Sequence, residues 1–587
     1  MNLQHLFGVL AAVGVGASLA AQPYRTIDGT GNNIANPEWG STHVPFLRLA
    51  PNSYEDGAGE PRFSAANPRA ISNTVFSQSG EIVSPLGTTS WIWQFGQFLD
   101  HDITLGELLS DDPISVIPPE DDPVFLTPIS TNRSEFQVEG GVRQQINRLT
   151  SYLDGSAVYG SDQERADFLR TNDGTGKLKV STIDGVGELM PYNRAVDPFE
   201  NGNENPMLSA DDLFLGGDPR VNEQIGLIAV HTLFVREHNY WADWVAQNEP
   251  EHATDGDAIY QRAKRITTGV IQAITYREYL PLLVGQGTIP AFTGYDDTVN
   301  AGIANEFATA AYRLGHTQLA PDLMLVDESG ADLPSSPMAL KDAFFIPGVV
   351  QEYGVEPILV GLITRRAQAV DSKLVDDVRN FLFFEPNPAA GGLDLATLNI
   401  LRGREHGIPT YNEARIALGL SPAQSFSDVT PNIDVQQALA IAYDSVDDVD
   451  LWVGGLAEQQ LVVGLLGETF AAIVTDQFTR MRDGDRFFYA NDPELKAIVH
   501  GETLANVLRR HCPGYEEMIH GNVFRTKHCS ADLNQNGVVD NEDFLAVLVA
   551  YGQAVEPYSL GDITRDGIID AEDFVSALVA YGHTCAH

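Results

Sequence analysis

The chain has 587 residues, 43% of them hydrophobic, with 80 acidic against 36 basic side chains and a net charge of −44. This length and apolar content suffice for one large domain or several ordinary ones. The acidity argues against nucleic acid or an anionic membrane surface as a partner, because both would repel the chain.

The N-terminus has the pattern of a secretory signal. Residues 6–19 are apolar and rich in small side chains, and they are too few to span a bilayer. Ser18-Leu19-Ala20 suits signal peptidase, so residues 1–20 are predicted to be a signal peptide and the protein to be secreted. An uncleaved anchor is the alternative, because no Lys or Arg precedes the apolar run. We expect no transmembrane helix after this segment.

Two stretches near the start are predicted to lack regular structure. Residues 24–89 are rich in Asn, Gly and Pro, which indicates an extended, turn-rich arm wrapped on a larger body. Residues 111–122 are acidic and proline-rich, which predicts a surface loop.

A helix is predicted to follow the arm, with Thr89 or Ser90 as its N-cap. Its polar residues are unusual for a core helix. Trp93, Gln97 and His101 share one face, Asp100 borders it, and Asp102 lies about 100° around the axis. We expect an imidazole, an amide and a carboxylate in one cavity, and Asp102 in a neighbouring site. The alternative is an amphipathic helix with a polar edge.

Oxygen-bearing side chains lie close together in the segment 149–161. Thr150, Asp154 and Ser156 flank Tyr152, and hard oxygen ligands from a short loop suit calcium. The alternative is a solvated turn of Ser, Thr and Asp residues.

Arg220 and Glu223 lie in a Gly-Pro turn just before a helix predicted for residues 225–247. Such a turn can deliver both side chains to a site. It can equally be an ordinary helix start with an acidic residue in the first turn.

Further helices are predicted downstream. One covers residues 303–314 and is followed by Gly315 as a helix breaker and then by His316, although a lone His beside Gly is often structural. An amphipathic helix is predicted for residues 359–382. Residues 393–418 carry so many charges around glycines that they indicate a buried polar network more than a simple helix. Helices continue to about Met518.

The C-terminal tail contains a repeat of thirty residues, and both copies end in Val-Ala-Tyr-Gly. Each copy carries oxygen ligands at the spacing of a calcium loop, with Gly537 or Gly567 at the sixth position. The predicted ligands are Asp532, Asn534, Asn536, Val538, Asp540 and Asp543 in the first loop and Asp562, Thr564, Asp566, Ile568, Asp570 and Asp573 in the second. The last ligand is Asp where calmodulin-type loops have Glu, which resembles a dockerin loop.

The chain has three cysteines, and the odd number leaves at least one thiol unpaired within the monomer. Cys529 and Cys585 bracket the tail, so the preferred disulfide joins them and leaves Cys512 free. No cysteine pair has metal-binding spacing.

These motifs together resemble the animal-type haem peroxidases of the peroxidase–cyclooxygenase superfamily, in particular the peroxidasin- and peroxinectin-like members. The resemblance extends from about residue 24 to residue 522. The motifs occur in the family's order: Asn67-Pro68-Arg69, the Gly96-Gln97 to Asp102 helix, the calcium-like loop, Asp218-Pro219-Arg220 with Glu223, Arg313 with His316, and Arg402-Gly403-Arg404-Glu405-His406-Gly407. It implies a mainly α fold, with a haem peroxidase domain at residues 21–525 and a small EF-hand- or dockerin-like module at residues 526–587.

The resemblance also implies a role for each matching residue. His101 is expected as the distal histidine beside Gln97, and Arg220 as the distal arginine. His316 is expected as the iron ligand bonded by Asn399, with Arg313 and Arg402 as haem-propionate partners and Asp100 and Glu223 as ester links to haem. The expected calcium ligands are Asp102, Thr150, Tyr152 (through its carbonyl), Asp154 and Ser156.

The implied function is a secreted haem peroxidase that reduces hydrogen peroxide and oxidises iodide, thiocyanate, bromide or phenolic donors, with haem b and calcium as cofactors and a protein partner for the tail. Gln224 stands where members with a sulfonium haem link have Met. Arg313 stands where the fatty-acid dioxygenases have a radical Tyr, and Tyr312 is one residue away. Such a dioxygenase is one alternative, and a non-catalytic matrix or adhesion protein is the other.

Overall fold

The computed structural model describes residues 23–384, 392–461, 464–526, 531–533, 538–555, 561–564 and 568–583. The predicted signal peptide lies outside these residues. Helices dominate, so the predicted mainly α fold class is confirmed. Within the described residues, no helix is both long and apolar enough to cross a membrane.

The helices, numbered in chain order, are α1 (Pro68–Ile71), α2 (Trp91–Ile103), α3 (Ser156–Tyr159), α4 (Gln163–Leu169), α5 (Ile225–Asn248), α6 (Gly256–Ile274), α7 (Leu280–Val284), α8 (Asn305–Thr309), α9 (Gly348–Tyr353), α10 (Glu356–Thr364), α11 (Asp376–Arg379), α12 (Leu395–Glu405), α13 (Tyr411–Ala417), α14 (Phe426–Val429), α15 (Ile433–Ala442), α16 (Leu451–Ala457), α17 (Glu468–Asp483), α18 (Pro493–Val499), α19 (Leu504–His511), α20 (Asn541–Ala550) and α21 (Ala571–Ala580). A 3₁₀ helix spans Ala311–Gln318.

The strands are short and lie at the edge of the helical body. They are β1 (Val44–Pro45), β2 (Leu108–Val116), β3 (Ile129–Ser134), β4 (Phe136–Glu139), β5 (Val142–Asn147), β6 (Ser181–Ile183), β7 (Gly187–Leu189), β8 (Asp322–Leu323) and β9 (Met338–Ala339). β1, β5 and β4 form a three-stranded antiparallel sheet in that order, and the others pair two by two.

Helix α2 lies at the centre of the fold, packed against α3, α5 and the 3₁₀ helix. All its residues are buried except Gln97 and Asp100, which are partly exposed, so it is not a surface helix with a polar edge. Its N-cap position is Ser90, although the Ser90 hydroxyl makes no capping bond. Gly96 is required for close packing, because a Cβ there would lie 2.6 Å from the Tyr279 hydroxyl.

The sequence predicted helix α5 almost to the residue, but it placed two other elements incorrectly. Residues 303–314 form a short α8 and then the 3₁₀ helix, with the break at Ala310 (φ −134°, ψ −71°). Gly315 is therefore not a helix breaker. Residues 359–382 are not one helix, because the chain leaves α10 at Thr364 to pair Arg366 and Gln368 with the N-terminal arm before α11 begins.

Two predicted irregular segments are regular in the structure. Residues 108–116 form β2, where Val116 pairs with Ile129 and both are buried. The predicted loop at 111–122 is therefore partly an edge strand. Residues 395–405 form the regular helix α12, and the expected polar network exists within it, because Arg404 and Glu405 are both buried and ion-paired.

The N-terminal arm is extended and turn-rich, as predicted, and it closes onto the far end of the domain. Arg25 and Asn32 both donate to the Asp485 carboxylate, at 2.5 and 2.9 Å. Arg486 donates its backbone N–H back to the Asn32 side chain at 3.0 Å. The first and last parts of the main body therefore hold each other in place.

The tail helices α20 and α21 pack on each other around a small apolar cluster of their own. Asp540 and Asp570 are their N-caps, each in a capping box with Asp543 or Asp573. Of the predicted calcium ligands, Asn534, Asn536 and Asp566 lie outside the described residues. So do Cys529 and Cys585, and with them the predicted disulfide, whereas Cys512 is a buried free thiol.

Candidate active site

Three elements bring the predicted catalytic residues together. Helix α2 supplies His101 and Asp100, and the turn before α5 supplies Arg220 and Glu223. Hydrogen bonds from Gln224 to Gln94 and Gln97 join these two elements directly. The 3₁₀ helix, which packs against α2, carries His316.

Asp218 is the charge that organises this cluster. It is buried, and its carboxylate accepts from Arg220 Nε at 2.9 Å and from Arg220 Nη2 at 2.7 Å. The same carboxylate lies 3.6 Å from His101 Nδ1. Burial would raise the pKa of Asp218, but Arg220 and His101 outweigh it and hold that pKa at about 2. Asp218 is therefore an anion shared by the arginine and the histidine.

His101 is 4% exposed and lies between two acidic side chains, with its Nε2 3.9 Å from the Glu223 carboxylate. Burial and the nearby Arg220 cation lower the pKa of His101 well below its usual value, against the opposing effect of Asp218. The ring is therefore neutral at physiological pH and can accept a proton.

Asp100 and Glu223 approach the same cation. Arg220 Nη1 lies 3.7 Å from the Asp100 carboxylate, and Thr104 donates its hydroxyl to Asp100 at 2.6 Å. Burial raises the pKa of Asp100, and burial together with Asp218 and Asp100 raises the pKa of Glu223 to about 7, although Arg220 opposes both shifts. Both carboxyl groups remain partly exposed, at 32% and 26% of the side chain.

Gln224 joins α2 to α5. Its side-chain oxygen caps α5 by accepting from Gly226 N at 2.6 Å. Its Nε2 donates to Gln94 at 2.6 Å and to Gln97 at 3.1 Å. Both ends of the amide are therefore bonded to protein groups, and Gln97 is held in place beside His101.

Asn399 connects His316 to Arg313. Arg313 can only donate, so Asn399 Oδ1 accepts from its Nη1 at 2.9 Å, and Asn399 Nδ2 faces His316 Nδ1 at 2.8 Å. Burial and Arg313 lower the pKa of His316 to about 3. The ring is therefore neutral, with Nδ1 accepting from the Asn399 amide and the proton on Nε2.

Arg402 is bound to the protein on several sides. Its Nη1 donates to the Asn132 carbonyl at 3.1 Å, to the Ser134 hydroxyl at 3.0 Å and to Glu405 at 2.9 Å. These bonds hold the guanidinium beside β3, at the C-terminal end of α12.

Four of the five predicted calcium ligands, Asp102, Thr150, Asp154 and Ser156, are joined by hydrogen bonds at the end of α2, and Tyr152 lies in the same segment. All are buried, so the segment is not a solvated turn. Asp102 accepts from Ala157 N at 2.9 Å, and Asp154 accepts from the Thr150 hydroxyl at 2.9 Å. Burial raises the pKa of both carboxyls, and Asp154 helps raise that of Asp102 to about 8. Two buried carboxylates of like charge, with hydroxyl and carbonyl oxygens around them, form a donor set that fits a hard cation.

A family model described as animal haem peroxidase matches residues 24–524. The chain belongs to this family. It is accordingly a haem peroxidase, an oxidoreductase, and related proteins support this. The chain is 37% identical to peroxinectin A of Dictyostelium discoideum over 86% of its length and 96% of that protein. It is 33% identical to lactoperoxidase of Mesocricetus auratus, covering 80% of this chain and 72% of the other. It spans only 38% of Drosophila melanogaster peroxidasin, at 34% identity.

Solved structures agree with this membership. Peroxidase A from Dictyostelium discoideum superposes with a TM-score of 0.80 at 36% identity, covering 86% of this chain and all of that one. A fatty acid alpha-dioxygenase from Arabidopsis thaliana superposes with a TM-score of 0.72 at 21% identity over 86% of this chain and 83% of that one. At that identity the likeness concerns the fold alone.

The residues fit the haem that the family implies. The neutral His316 ring could hold the iron through Nε2 in the tautomer that carries its proton on Nδ1, with the Asn399 amide oxygen accepting that proton. His101 Nδ1 is a buried ring nitrogen without a hydrogen-bond partner. Arg220 and Arg313 supply positive charge on either side.

Sequence reasoning missed the role of Asp218. The residue lies in the Asp-Pro-Arg motif, two positions before Arg220, and its first carboxylate oxygen also accepts the Arg220 backbone N–H at 2.8 Å. An Asp before Pro at that spacing is typical of a side chain that bonds the backbone two residues later. That signal could have identified Asp218 as the residue that fixes Arg220.

Proposed function

We propose that the protein is a secreted, calcium-containing peroxidase that reduces hydrogen peroxide and oxidises small anions (iodide, thiocyanate and bromide) or phenolic donors. The observation that carries the proposal is the pairing of a neutral His101 with a fixed Arg220 around the shared anion Asp218. Haem b, held by His316, supplies the redox chemistry when bound.

His101 and Arg220 divide the work on peroxide. Breaking the O–O bond requires a proton to move from the inner to the outer oxygen, and a neutral imidazole can accept and then return it. The guanidinium of Arg220, fixed by Asp218, stabilises negative charge that develops on the departing oxygen. Gln97 lies beside His101 and Arg220, and its side-chain amide can donate or accept a hydrogen bond there.

On the other side, Asn399 orients His316 toward the iron, and Arg313 and Arg402 pair with the haem propionates. Asp100 and Glu223 would supply the carboxylates for ester links to haem methyl groups, where a C–O bond replaces a C–H bond and hydrogen peroxide serves as the two-electron oxidant. The part-exposed carboxyl groups beside Arg220 support these links, and the raised pKa of Glu223, about 7, keeps a fraction of that group protonated at neutral pH. Calcium binds at Asp102, Thr150, Tyr152, Asp154 and Ser156.

The halide range follows from Gln224. Ester links tether the haem without adding a positive centre, and an amide has no sulfur with which to form a sulfonium link. The Gln224 amide is also fully engaged by Gly226, Gln94 and Gln97. Without that extra cation the haem is a weaker oxidant, so we expect oxidation of iodide, thiocyanate and bromide but little oxidation of chloride.

The deciding experiment is halogenation with each halide from mildly acidic to neutral pH, alongside a peroxide-dependent guaiacol assay and a Soret spectrum. Chlorination as fast as bromination would refute the halide range. A Soret band without any peroxide-dependent oxidation would favour the non-catalytic matrix protein. Peptide mass spectrometry tests the links: peptides with Asp100 and Glu223 should carry haem, and Gln224 should be unmodified.

The dioxygenase alternative is weaker on structural grounds. Tyr312, the nearest tyrosine to the required position, donates its hydroxyl to Tyr279 at 3.2 Å and stacks on Phe307. Arg313 occupies the position itself and bonds to Asn399.

The dockerin-like tail binds calcium in our proposal, and it serves either as a docking module for a protein partner or as a self-folding cap.

A further inference from the structure

A second buried histidine, His231, lies about two turns into α5 and has no role in the chemistry proposed above. Its Nδ1 lies 3.0 Å from the Ala157 carbonyl oxygen, which can only accept, so Nδ1 carries the proton. Burial lowers the pKa of His231 to about 4, so the ring is neutral and its Nε2 carries no proton. That second nitrogen is buried without a hydrogen-bond partner.

The bare Nε2 indicates that the ring is not there for stability alone. A buried acceptor without a donor costs stability, and an apolar side chain of similar size would avoid that cost. The ring also meets Phe98 of α2 edge-on at 5.2 Å, a packing contact that an apolar side chain could equally make. What such a side chain could not supply is the hydrogen bond that Nδ1 donates to Ala157.

The Ala157 carbonyl is shared by two donors from one chain segment. Besides the His231 ring, it accepts the backbone N–H of Asp218 at 3.3 Å. Asp218 lies in the turn that leads into α5, and His231 lies within α5 itself. The two bonds therefore tie the turn back to the helix that follows it. The His231 bond is the shorter of the two, so it is the firmer anchor.

Helix α3 fixes this turn from its other side. Gly217 packs so closely against α3 that a Cβ there would lie 2.2 Å from the Ser156 carbonyl oxygen. Ala157 also donates its N–H to the Asp102 carboxylate at 2.9 Å. The Ala157 carbonyl is thus a fixed point, and Asp218 is placed relative to it by the Gly217 contact and by the bond that the carbonyl shares with His231.

We propose that His231 is a positioning residue for the reaction with peroxide. Its Nδ1 donor holds the Ala157 carbonyl in place against Asp218, whose carboxylate holds the Arg220 guanidinium through bonds of 2.9 and 2.7 Å. The proposal rests on the function proposed above for Arg220. Because stabilisation of developing charge requires a preformed geometry, a small displacement of the guanidinium lowers the rate even though its charge remains.

An isosteric pair of substitutions tests this in the haem- and calcium-loaded full chain. His231→Asn can place an amide N–H near the position of Nδ1, whereas His231→Leu has a similar shape and no donor. We expect His231→Leu to slow the Soret change on mixing with hydrogen peroxide by about tenfold or more. His231→Asn should recover most of that rate. Haem content and kcat/KM for guaiacol, which reports the later donor step, should be unchanged in both.

A double-mutant cycle shows whether His231 acts through Arg220. In the Arg220→Gln background, His231→Leu should change the peroxide rate by less than about twofold, because the group that it positions is already absent. His238→Leu is the matched control. That histidine is also buried in α5, and its nitrogens contact the Tyr159 hydroxyl and the Gly176 carbonyl. Its replacement should lower thermal stability and leave the peroxide rate unchanged.

An undiminished peroxide rate in folded His231→Leu, an equal loss in His231→Asn or His238→Leu, or the same loss with and without Arg220 would each overturn the proposal. If His231→Leu does not fold, His231→Phe keeps a ring against Phe98 without the donor and takes its place. A fast Arg220→Gln would refute the role of Arg220 and this proposal with it. A slow Arg220→Gln beside a fast His231→Leu would refute this proposal alone.

Discussion

At the scale of single residues, the candidate site depends on one carboxylate with two partners. Asp218 fixes the Arg220 guanidinium and faces the His101 ring, so neither side chain can move without affecting the other. Removing Arg220 leaves the buried Asp218 anion without its compensating charge, which is costly. Effects of changes at Arg220 and His101 are therefore expected to be non-additive.

Replacing Arg220 with Gln should slow the reaction with peroxide by about 10²–10³-fold, because it removes the donor that stabilises developing charge. It should also move the acid limb of the pH profile of kcat/KM to higher pH. Arg220 lowers the pKa of His101, so its loss raises that pKa and protonates the base earlier as pH falls. Arg220→Lys keeps the charge and should shift the limb less. An acid limb that stays in place in folded Arg220→Gln would contradict this.

Replacing His316 with Ala should yield protein that lacks a normal Soret band, because the neutral ring fixed by Asn399 is the proposed iron ligand. Haem content per protein, measured spectroscopically after purification, checks this. His252→Ala is the control, since that histidine lies on the surface beside Glu249 and should not affect haem. Full haem content in His316→Ala would contradict the assignment of His316 as the iron ligand.

At the scale of elements, long periodic helices such as α5 and the motif residues of α2 could be predicted from the sequence. The irregular elements could not. The chain leaves α10 because Arg366 and Gln368 pair with the arm, which is a contact between residues far apart in sequence. Tertiary pairing of this kind overrides local propensity. The contact between Asn399 and His316, by contrast, was implied by the family resemblance, and the structure places the two side chains 2.8 Å apart.

The calcium loop beneath α2 gives a prediction with a definite sign. Without calcium, burial and Asp154 raise the pKa of Asp102 to about 8, well above its unfolded value. The calcium-free fold therefore loses stability as pH rises from about 4 toward 8, because an ionised carboxylate is disfavoured there. Calcium pairs with the ionised form and offsets this loss.

The increase in Tm on adding calcium, measured by calorimetry, should consequently be larger near pH 8 than near pH 5. The corresponding difference in the free energy of unfolding should be on the order of a few kcal/mol. Asp154→Asn removes one of the two carboxylates and should reduce this pH dependence. A calcium effect of equal size at both pH values would be evidence against a site at Asp102.

At the scale of the whole molecule, the described part of the tail has an apolar cluster separate from that of the main body. Arg525 donates to the Asp532 carbonyl at 3.2 Å, and the tail has its own apolar cluster. Ending the chain after Thr526 should therefore leave peroxidase turnover unchanged. In the full chain, a chelator should release tail calcium first, since a two-helix unit has little core. Loss of activity in a truncated protein that keeps its haem and helix content would contradict this modular organisation.

The contact between the N-terminal arm and Asp485 also constrains how the chain can fold as it is made. Arg25 and Asp485 are 460 residues apart. At a synthesis rate of about 5–20 residues per second, the arm emerges on the order of tens of seconds before its partner exists. During that interval Arg25 and Asn32 lack their Asp485 partner. The arm that is translated first is thus among the last parts to reach its final position, and factors that protect nascent chains would act there.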